Sequence, residues 1–283
     1  MSCDKTEHGG LILVGTPIGN LSDFSPRAIQ ALKEADLIAA EDTRVTLKLL
    51  NHFEIKKTLV SYFEHNKHDR GQELLEKMQS GTKLVLVSDA GMPAISDPGE
   101  DLVRSCHERG IPVTVVPGPT AVATAVALSG FSTGRFCFEG FLSVNKKSRK
   151  EHLESLINES RTIVFYEAPH KLRYTLRDLR DTLGGNRRIA LIKELTKIHE
   201  KVEISTLQEA TDQAYEHDPK GEYVLVIEGA PRKETSETFS IEDAVLLAKK
   251  FQEEGDSLSV AAKKAAAESG LAKNEIYKRL VEN

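Results

Sequence analysis

Residues 87–99 read VSDAGMPAISDPG, directly behind the apolar, β-branched run KLVLV at 83–87. The run has the character of a buried strand, and the stretch behind it holds two Ser-Asp pairs, two glycines and two prolines. Two other apolar runs break the same way: LILV (11–14) into GTPIGN, and VTVV (113–116) into PGPTA. LIAA (37–40) and Thr58 to Ser61 read as shorter strands, the first ending at EDTR (41–44). Helical patterns lie between them. One spans Ser25 to Ala40, with Ser25 as N-cap and Pro26 at the first helical position. Others cover Thr46 to His52, Asp69 to Ser80 and Asp101 to Arg109, and the Ala/Val segment 121–128 is expected to be buried almost all round. The strands are continuous apolar runs, as parallel strands covered on both faces require. An open parallel α/β sheet follows. In such a sheet the carboxyl ends of the strands form one rim, where ligands bind. Glycine and proline let stiff backbone approach a ligand closely. Each loop alone also reads as an ordinary turn; all three on one rim imply a pocket for a polar small molecule.

The chain beyond this half changes character. RFCFEGFL (135–142) is aromatic and extended, and SVNKKSRK (143–150) reads as a basic polar loop. TIVFYE (162–167), RIALIKE (188–194) and EYVLVI (222–227) are strands, with a helix over His170 to Thr182, so a second α/β domain with its own sheet is expected. Residues 230–239 read as a linker. From Ser240 onward three short helices resemble a helix-turn-helix module, with Ser240 and Asp243 as a capping box and Gly255 and Gly270 at helix C-caps. The expected organisation is an N-terminal α/β domain at 10–133, a second at 134–230 and a helical module at 240–283.

The 283 residues carry a formal net charge of −5, so any nucleic-acid partner must meet a local basic patch. Lys146, Lys147, Arg149 and Lys150 are the clearest such patch, although runs of this kind also occur as solvated loops. The tail balances seven basic residues against eight acidic ones and is not a basic arm. Cys3, Cys106 and Cys137 lie far apart, which argues against a disulfide framework or zinc site and for a reducing compartment. With no signal-peptide core and no membrane-length apolar window, a cytoplasmic protein is expected. GxxxxGK[ST], GxGxxG and HExxH are missing, so neither a P-loop, a dinucleotide fingerprint nor a metal site is expected.

VGTPIGNLSD, AEDTR, VSDAGMPAISDPG, VVPGPTA, FYEAPHK, KELTK and GEYVLVIEG occur in this order. Together they resemble the ribosomal RNA small-subunit methyltransferase I family, of the tetrapyrrole-methylase (class III) fold of S-adenosylmethionine-dependent methyltransferases. The resemblance runs from about Leu11 to Gly229. It implies two α/β domains with the cofactor, S-adenosylmethionine, in the cleft between them. It also implies 2′-O-methylation of the ribose of a cytidine in the decoding region of 16S rRNA in the 30S subunit, and a homodimer. Carried onto this sequence, the cofactor positions are Pro17 and Ile18, Asp89, Ala90, Gly91 and Met92, Thr120 and Ala121, with Phe165 and Tyr166 from the second domain. Proton removal from the ribose hydroxyl would fall to Asp42, Arg44, Glu167, Lys193 or Glu194, with Glu41 and His170 as further candidates. Each also has a structural reading, as an ion pair, a cap or a solvated strand end. Two other functions stay open: methylation of a tetrapyrrole or other small molecule on the same fold, and a non-catalytic RNA-binding or ribosome-assembly role.

Overall fold

The computed structural model describes residues 9–97, 99–231 and 240–282. Cys3, Pro98 and nearly all of the expected linker lie outside these. The chain divides into two compact units, residues 1–230 and 231–283.

The first unit opens with β1 (Gly10–Val14), α1 (Pro26–Glu34), β2 (Leu37–Ala40), α2 (Thr43–His52), β3 (Leu59–Ser61), α3 (Lys67–Gln79), β4 (Lys83–Val87), α4 (Gly99–Glu108), β5 (Val113–Val116) and α5 (Ala121–Leu128). These strands form one sheet in the order β3-β2-β4-β1-β5, and all four neighbouring pairs in it are parallel. The continuous apolar runs have the expected cause: one face packs on Leu74, Met78, Leu102 and Cys106 of α3 and α4, the other on Ala28, Leu32 and Leu50 of α1 and α2. The helix expected to reach Ala40 stops at Glu34, because Ala35 takes an extended conformation and LIAA enters the sheet.

The unit continues with β6 (Phe136–Gly140), α6 (Lys146–Ser155), β7 (Thr162–Glu167), α7 (Pro169–Leu183), β8 (Arg188–Lys193), β9 (Lys201–Thr206), α8 (Leu207–Glu216) and β10 (Tyr223–Ile227). They build a second sheet, β6-β7-β10-β8-β9, which is mixed: β6 runs parallel to β7, and the other neighbours are antiparallel. One face packs on α6, α7 and α8. The other packs on α5, through Val122, Ala125 and Val126. The helix that leaves β5 of the first sheet therefore lies on the second, which brings the two sheets together around the third rim loop. Contrary to the all-round burial expected for α5, Ala123, Ala127 and Leu128 are exposed.

The basic stretch expected as a loop is largely helix. Asn145 accepts hydrogen bonds from the Lys147 and Ser148 amides and starts α6 at Lys146. The second unit holds α9 (Ile241–Glu253), α10 (Leu258–Ser269) and α11 (Lys273–Glu282) around a small core that includes Ala244, Ala248, Ala261, Ala265, Ile276 and Leu280. Ser240 and Asp243 form a reciprocal capping box, and Gly270 ends α10 in the left-handed region at φ 72°.

Candidate active site

The three rim loops interlock. Thr16 and Gly91 exchange two backbone hydrogen bonds, at 2.9 and 3.1 Å, which join the loop after β1 to the loop after β4. The buried Thr16 hydroxyl points at the Ser88 and Gly91 carbonyls. The third loop closes against both: Gly15 N–H donates to the Val116 carbonyl at 3.2 Å, and Gly118 N–H to Met92 Sδ at 3.3 Å. Gly15 and Gly118 meet face to face, so a Cβ on Gly15 would lie 2.7 Å from the Gly118 Cα. Only glycine allows two strand ends to approach this closely.

Across from the loops stand the ends of β7, β8 and β10. Tyr166 reaches over from β7, and its hydroxyl accepts the Val122 N–H in the first turn of α5 at 3.0 Å. Its ring packs edge-on against Phe138 and Phe141, at 4.8 and 5.6 Å between centroids. Burial raises its pKa. Between these walls lies a cavity of about 530 Å³. Its lining is mostly apolar and includes Ile18, Met92, Ile95, Phe141, Ile192, Leu195 and Val224, with Glu167, His170, Glu222 and Tyr223 as polar or ionisable groups. Such a cavity, apolar with a few convergent polar groups, is the usual form of a small-molecule site.

Seven of the ten expected cofactor positions line this cavity: Ile18, Ala90, Gly91, Met92, Thr120, Ala121 and Tyr166. Pro17 stands beside Ile18 but is not on the wall. Phe165 is fully buried on the other face of the second sheet, among Leu172, Leu176 and Leu225. Side chains alternate along a strand, so when Tyr166 faces the cavity Phe165 cannot. Asp89 sits at the edge, where its Oδ1 accepts the Asp42 N–H at 2.9 Å and ties the EDTR loop to the rim. Burial, set against that hydrogen bond, raises its pKa. Burial, with Asp89 and Asp97 nearby, does the same for Glu41.

The expected proton-transfer residues scatter. Asp42 caps α2: it accepts the Arg44 amide at 2.8 Å and grips the Arg44 guanidinium at 2.6 to 3.1 Å, which pulls its carboxyl down to about 2. Neither residue lines the cavity. Glu167 does, at 5% exposure, but Oε1 accepts the Ala168 amide and Oε2 accepts the Thr175 hydroxyl. Lys193 lies with its ammonium 6.0 Å over the Tyr223 ring. Glu194 accepts from the Glu222 amide at 2.9 Å and from Lys197 at 3.0 Å, which hold its carboxyl below the usual range. Of the ionisable side chains on the wall, that of His170 makes no hydrogen bond, ion pair or ring contact among the described residues.

Ile95, Phe141, Leu195, Glu222 and Tyr223 also line the cavity and were not among the expected positions. Tyr223 could have been found from its place at the start of an apolar strand, but the sequence carries no comparable signal for Ile95 or Leu195. The basic patch is also partly spoken for. Arg149 donates to Asp178 and Thr175, while Lys147 and Lys150 stand 3.9 and 3.7 Å from Glu151 and Glu154. One GxSxG run, GFSTG at 130–134, is present. It follows a helix and precedes β6, the reverse of the strand–turn–helix order a nucleophilic serine needs, and the Ser132 carbonyl accepts the Thr162 hydroxyl. No cluster among the described residues could hold a metal ion, and no helix among them is long and apolar enough to cross a membrane.

Comparison with known proteins agrees with this architecture. Residues 10–211 match the family model for tetrapyrrole (corrin/porphyrin) methylases. A ribosomal RNA small subunit methyltransferase I from Synechocystis is 48% identical over 97% of this chain and 98% of its own length. Its Bacillus subtilis counterpart is 44% identical over 96% and 94%. Among solved structures, the methyltransferase CobJ superposes with a TM-score of 0.59 at 21% identity, over 78% of this chain and 95% of its own. A Thermus thermophilus uroporphyrin-III C-methyltransferase complexed with S-adenosyl homocysteine gives 0.55 at 20%, over 77% and 97%.

Proposed function

We propose that this chain, which belongs to the tetrapyrrole methylases and among them to the ribosomal RNA small subunit methyltransferase I family, methylates a cytidine 2′-hydroxyl in the decoding region of 16S rRNA. The observation that carries the reading is the cavity built from three interlocked rim loops and the facing ends of β7, β8 and β10.

The cavity suits S-adenosylmethionine. The Gly15–Gly118 contact packs the rim loops tightly together behind the cavity wall, and Ile18, Ala90, Gly91, Met92, Thr120, Ala121 and Tyr166 would hold the ligand. When bound, its sulfonium supplies an activated methyl group. Asp89 at the rim offers its second carboxylate oxygen to a cationic group. The chain's remaining work is to orient the ribose, exclude water and accept one proton. Glu167 is locked by Thr175 and Ala168 and acts as a wall that orients. His170, uncommitted on the same wall, is the proton acceptor in this reading, and Lys193 supplies positive charge close to the strand end. The Asp42–Arg44 pair shapes the rim through Asp89. Lys146, Lys147 and Lys150 contact RNA phosphates. The protein works in the cytoplasm as a homodimer.

The decisive experiment incubates the protein with tritiated S-adenosylmethionine and either 30S subunits lacking the modification or free 16S rRNA, then digests the RNA and locates the label. Label on the cytidine ribose is expected; label on a base, or none on RNA, rejects the reading. His170→Ala should lower kcat while the S-adenosylmethionine Kd stays unchanged.

A further inference from the structure

A second hollow, of about 640 Å³, lies between α6 and α7, separate from the cavity described above. Five cations line it against two carboxylates. Arg149 and Arg177 converge on one of those carboxylates, Asp178, at 2.7 and 3.1 Å, so part of this charge is fixed in the walls. Lys146 and Lys171 line the hollow and form no ion pair among the described residues. Beside them Tyr174 is 57% exposed, with the Arg177 guanidinium 5.6 Å from its ring centroid. An exposed ring with a guanidinium alongside is a stacking platform for a nucleobase, and unpaired lysines on the same wall meet phosphates.

The hollow is continuous in sequence and in bonding with the cavity. Phe141 lines the cavity, and Leu142 and Ser143 line the hollow; His170 lines the cavity, and Lys171 the hollow. Thr175, on the hollow's wall, donates to Glu167 on the cavity's wall and accepts from Arg149 at 2.8 Å. A chain whose ribose enters the cavity would thus pass directly from α7's first turn into the hollow.

The geometry points to the α6–α7 hollow as the subsite for single-stranded RNA next to the target nucleotide, with one base stacked on Tyr174 and phosphates on Lys146 and Lys171. This rests on RNA being the substrate. It gives the basic helix a task that its surface pairs alone do not explain, and it adds two α7 residues outside the basic run.

The test measures binding, without methyl transfer, of a fluorescently labelled mixed-sequence single-stranded RNA of about 12 nucleotides, within the usual span of such sites. Tyr174→Ala should weaken binding about tenfold, as loss of one stacked base does, while Tyr174→Phe keeps the ring and stays within about twofold of wild type. The double variant Lys146→Ala/Lys171→Ala should weaken binding and lower the salt slope by about 1.4, at about 0.7 per single-strand phosphate contact. S-adenosylmethionine affinity, measured in parallel, should be unchanged in all three and shows that each is folded. RNA affinity and salt slope equal to wild type in both the double variant and Tyr174→Ala would overturn the proposal. So would equal binding of poly-aspartate, since that is a site for acidic protein. A wild type that binds RNA through these residues yet transfers no methyl supports the subsite and removes the proposed activity. A wild type that methylates RNA, with variants that bind as it does, does the reverse.

Discussion

Gly15→Ala tests the geometry on which the site depends. Gly15 is not in the left-handed region, so the substitution acts through space alone. Its new Cβ would stand 2.7 Å from the Gly118 Cα, 2.8 Å from the Gly118 nitrogen and 2.7 Å from Met92 Sδ. Ordinary contact begins at 3.4 Å, so β1 and the third loop must part by about 0.7 Å. Backbone cannot swing aside as a side-chain tip can. Overpacking of this kind costs about 1–3 kcal/mol, and we place this case at about 3 because two of the three obstructing atoms are main chain. For a unit of this size that is a fall of about 6–12 °C in Tm. The displaced loop carries Thr120 and Ala121 into the cavity wall, and since a misplacement of about 1 Å can cost about a hundredfold in rate, we expect at least a tenfold weaker S-adenosylmethionine Kd.

Calorimetric binding and thermal unfolding read both effects. Gly134→Ala is the control: nothing lies within 4 Å of its Cβ and its φ is not left-handed, so stability should stay within about 0.5 kcal/mol. Adding Met92→Ala to Gly15→Ala removes the sulfur but leaves the Gly118 backbone, and should not restore affinity. Wild-type Tm and Kd in Gly15→Ala would show that the loops do not interlock as described; full rescue by Met92→Ala would show that the sulfur, not the backbone, was the obstacle.

Tyr166→Phe deletes the acceptor for the Val122 amide. It should cost about 1–3 kcal/mol and weaken cofactor binding, as unfolding and calorimetry would register. Phe165→Ala should cost about 3–5 kcal/mol by leaving a core cavity. At a temperature where the variant is folded its S-adenosylmethionine Kd should match wild type, since Phe165 faces away from the cavity. On the acid side, Arg161 holds the Glu159 carboxyl at about 2 against an ordinary 4.5. A depressed carboxylate stabilises fully above the unfolded value, and that contribution is lost as pH falls from about 4.5 through about 2. Solvent screening limits it to about 0.5–1 kcal/mol, and pH 3 lies inside the window, so in Glu159→Gln the loss of unfolding free energy between pH 6 and pH 3, read by urea titration, should shrink by about half of that.

The fold was legible where burial left a mark on the sequence. VTVV is an edge strand whose apolar run leaves Val115 exposed, whereas KLVLV and LILV are strands because both faces of their parallel sheet are covered, and alternation is then impossible. The bounds of β7 follow from TIVFYE for the same reason. α6 was not legible: Leu153 is its one fully buried side chain, so KKSRKEHLES shows no apolar stripe to set against its polar face. β9 is an edge strand, KVEIST, with no fully buried residue, and it offered no continuous run. Within the site, loop residues were legible because glycine and proline signal backbone constraint. The facing wall was not: Ile192 and Val224 look like any strand residue, and only the packing of α5 onto the second sheet turns them toward the loops. Asp42 and Glu194 illustrate the opposite error. A carboxylate in a loop suggests chemistry, while here each satisfies backbone amides.

A net charge of −5 bears on how such a protein could hold RNA. Screening at about 0.1 M salt confines charge effects to about 10 Å, so carboxylates far from a bound strand neither help nor hinder it much. What matters is the local balance, and in the α6–α7 hollow cations outnumber carboxylates five to two. The partners Asp178, Glu151 and Glu154 compete with phosphates for Arg149, Lys147 and Lys150. Lys146 and Lys171 face no such competition among the described residues. Their removal should therefore change the salt slope more than removal of Lys147 and Lys150, although the two pairs carry the same formal charge. A slope that tracks charge alone, equal for both double variants, would mean that the strand reads the protein's general field, not these two side chains.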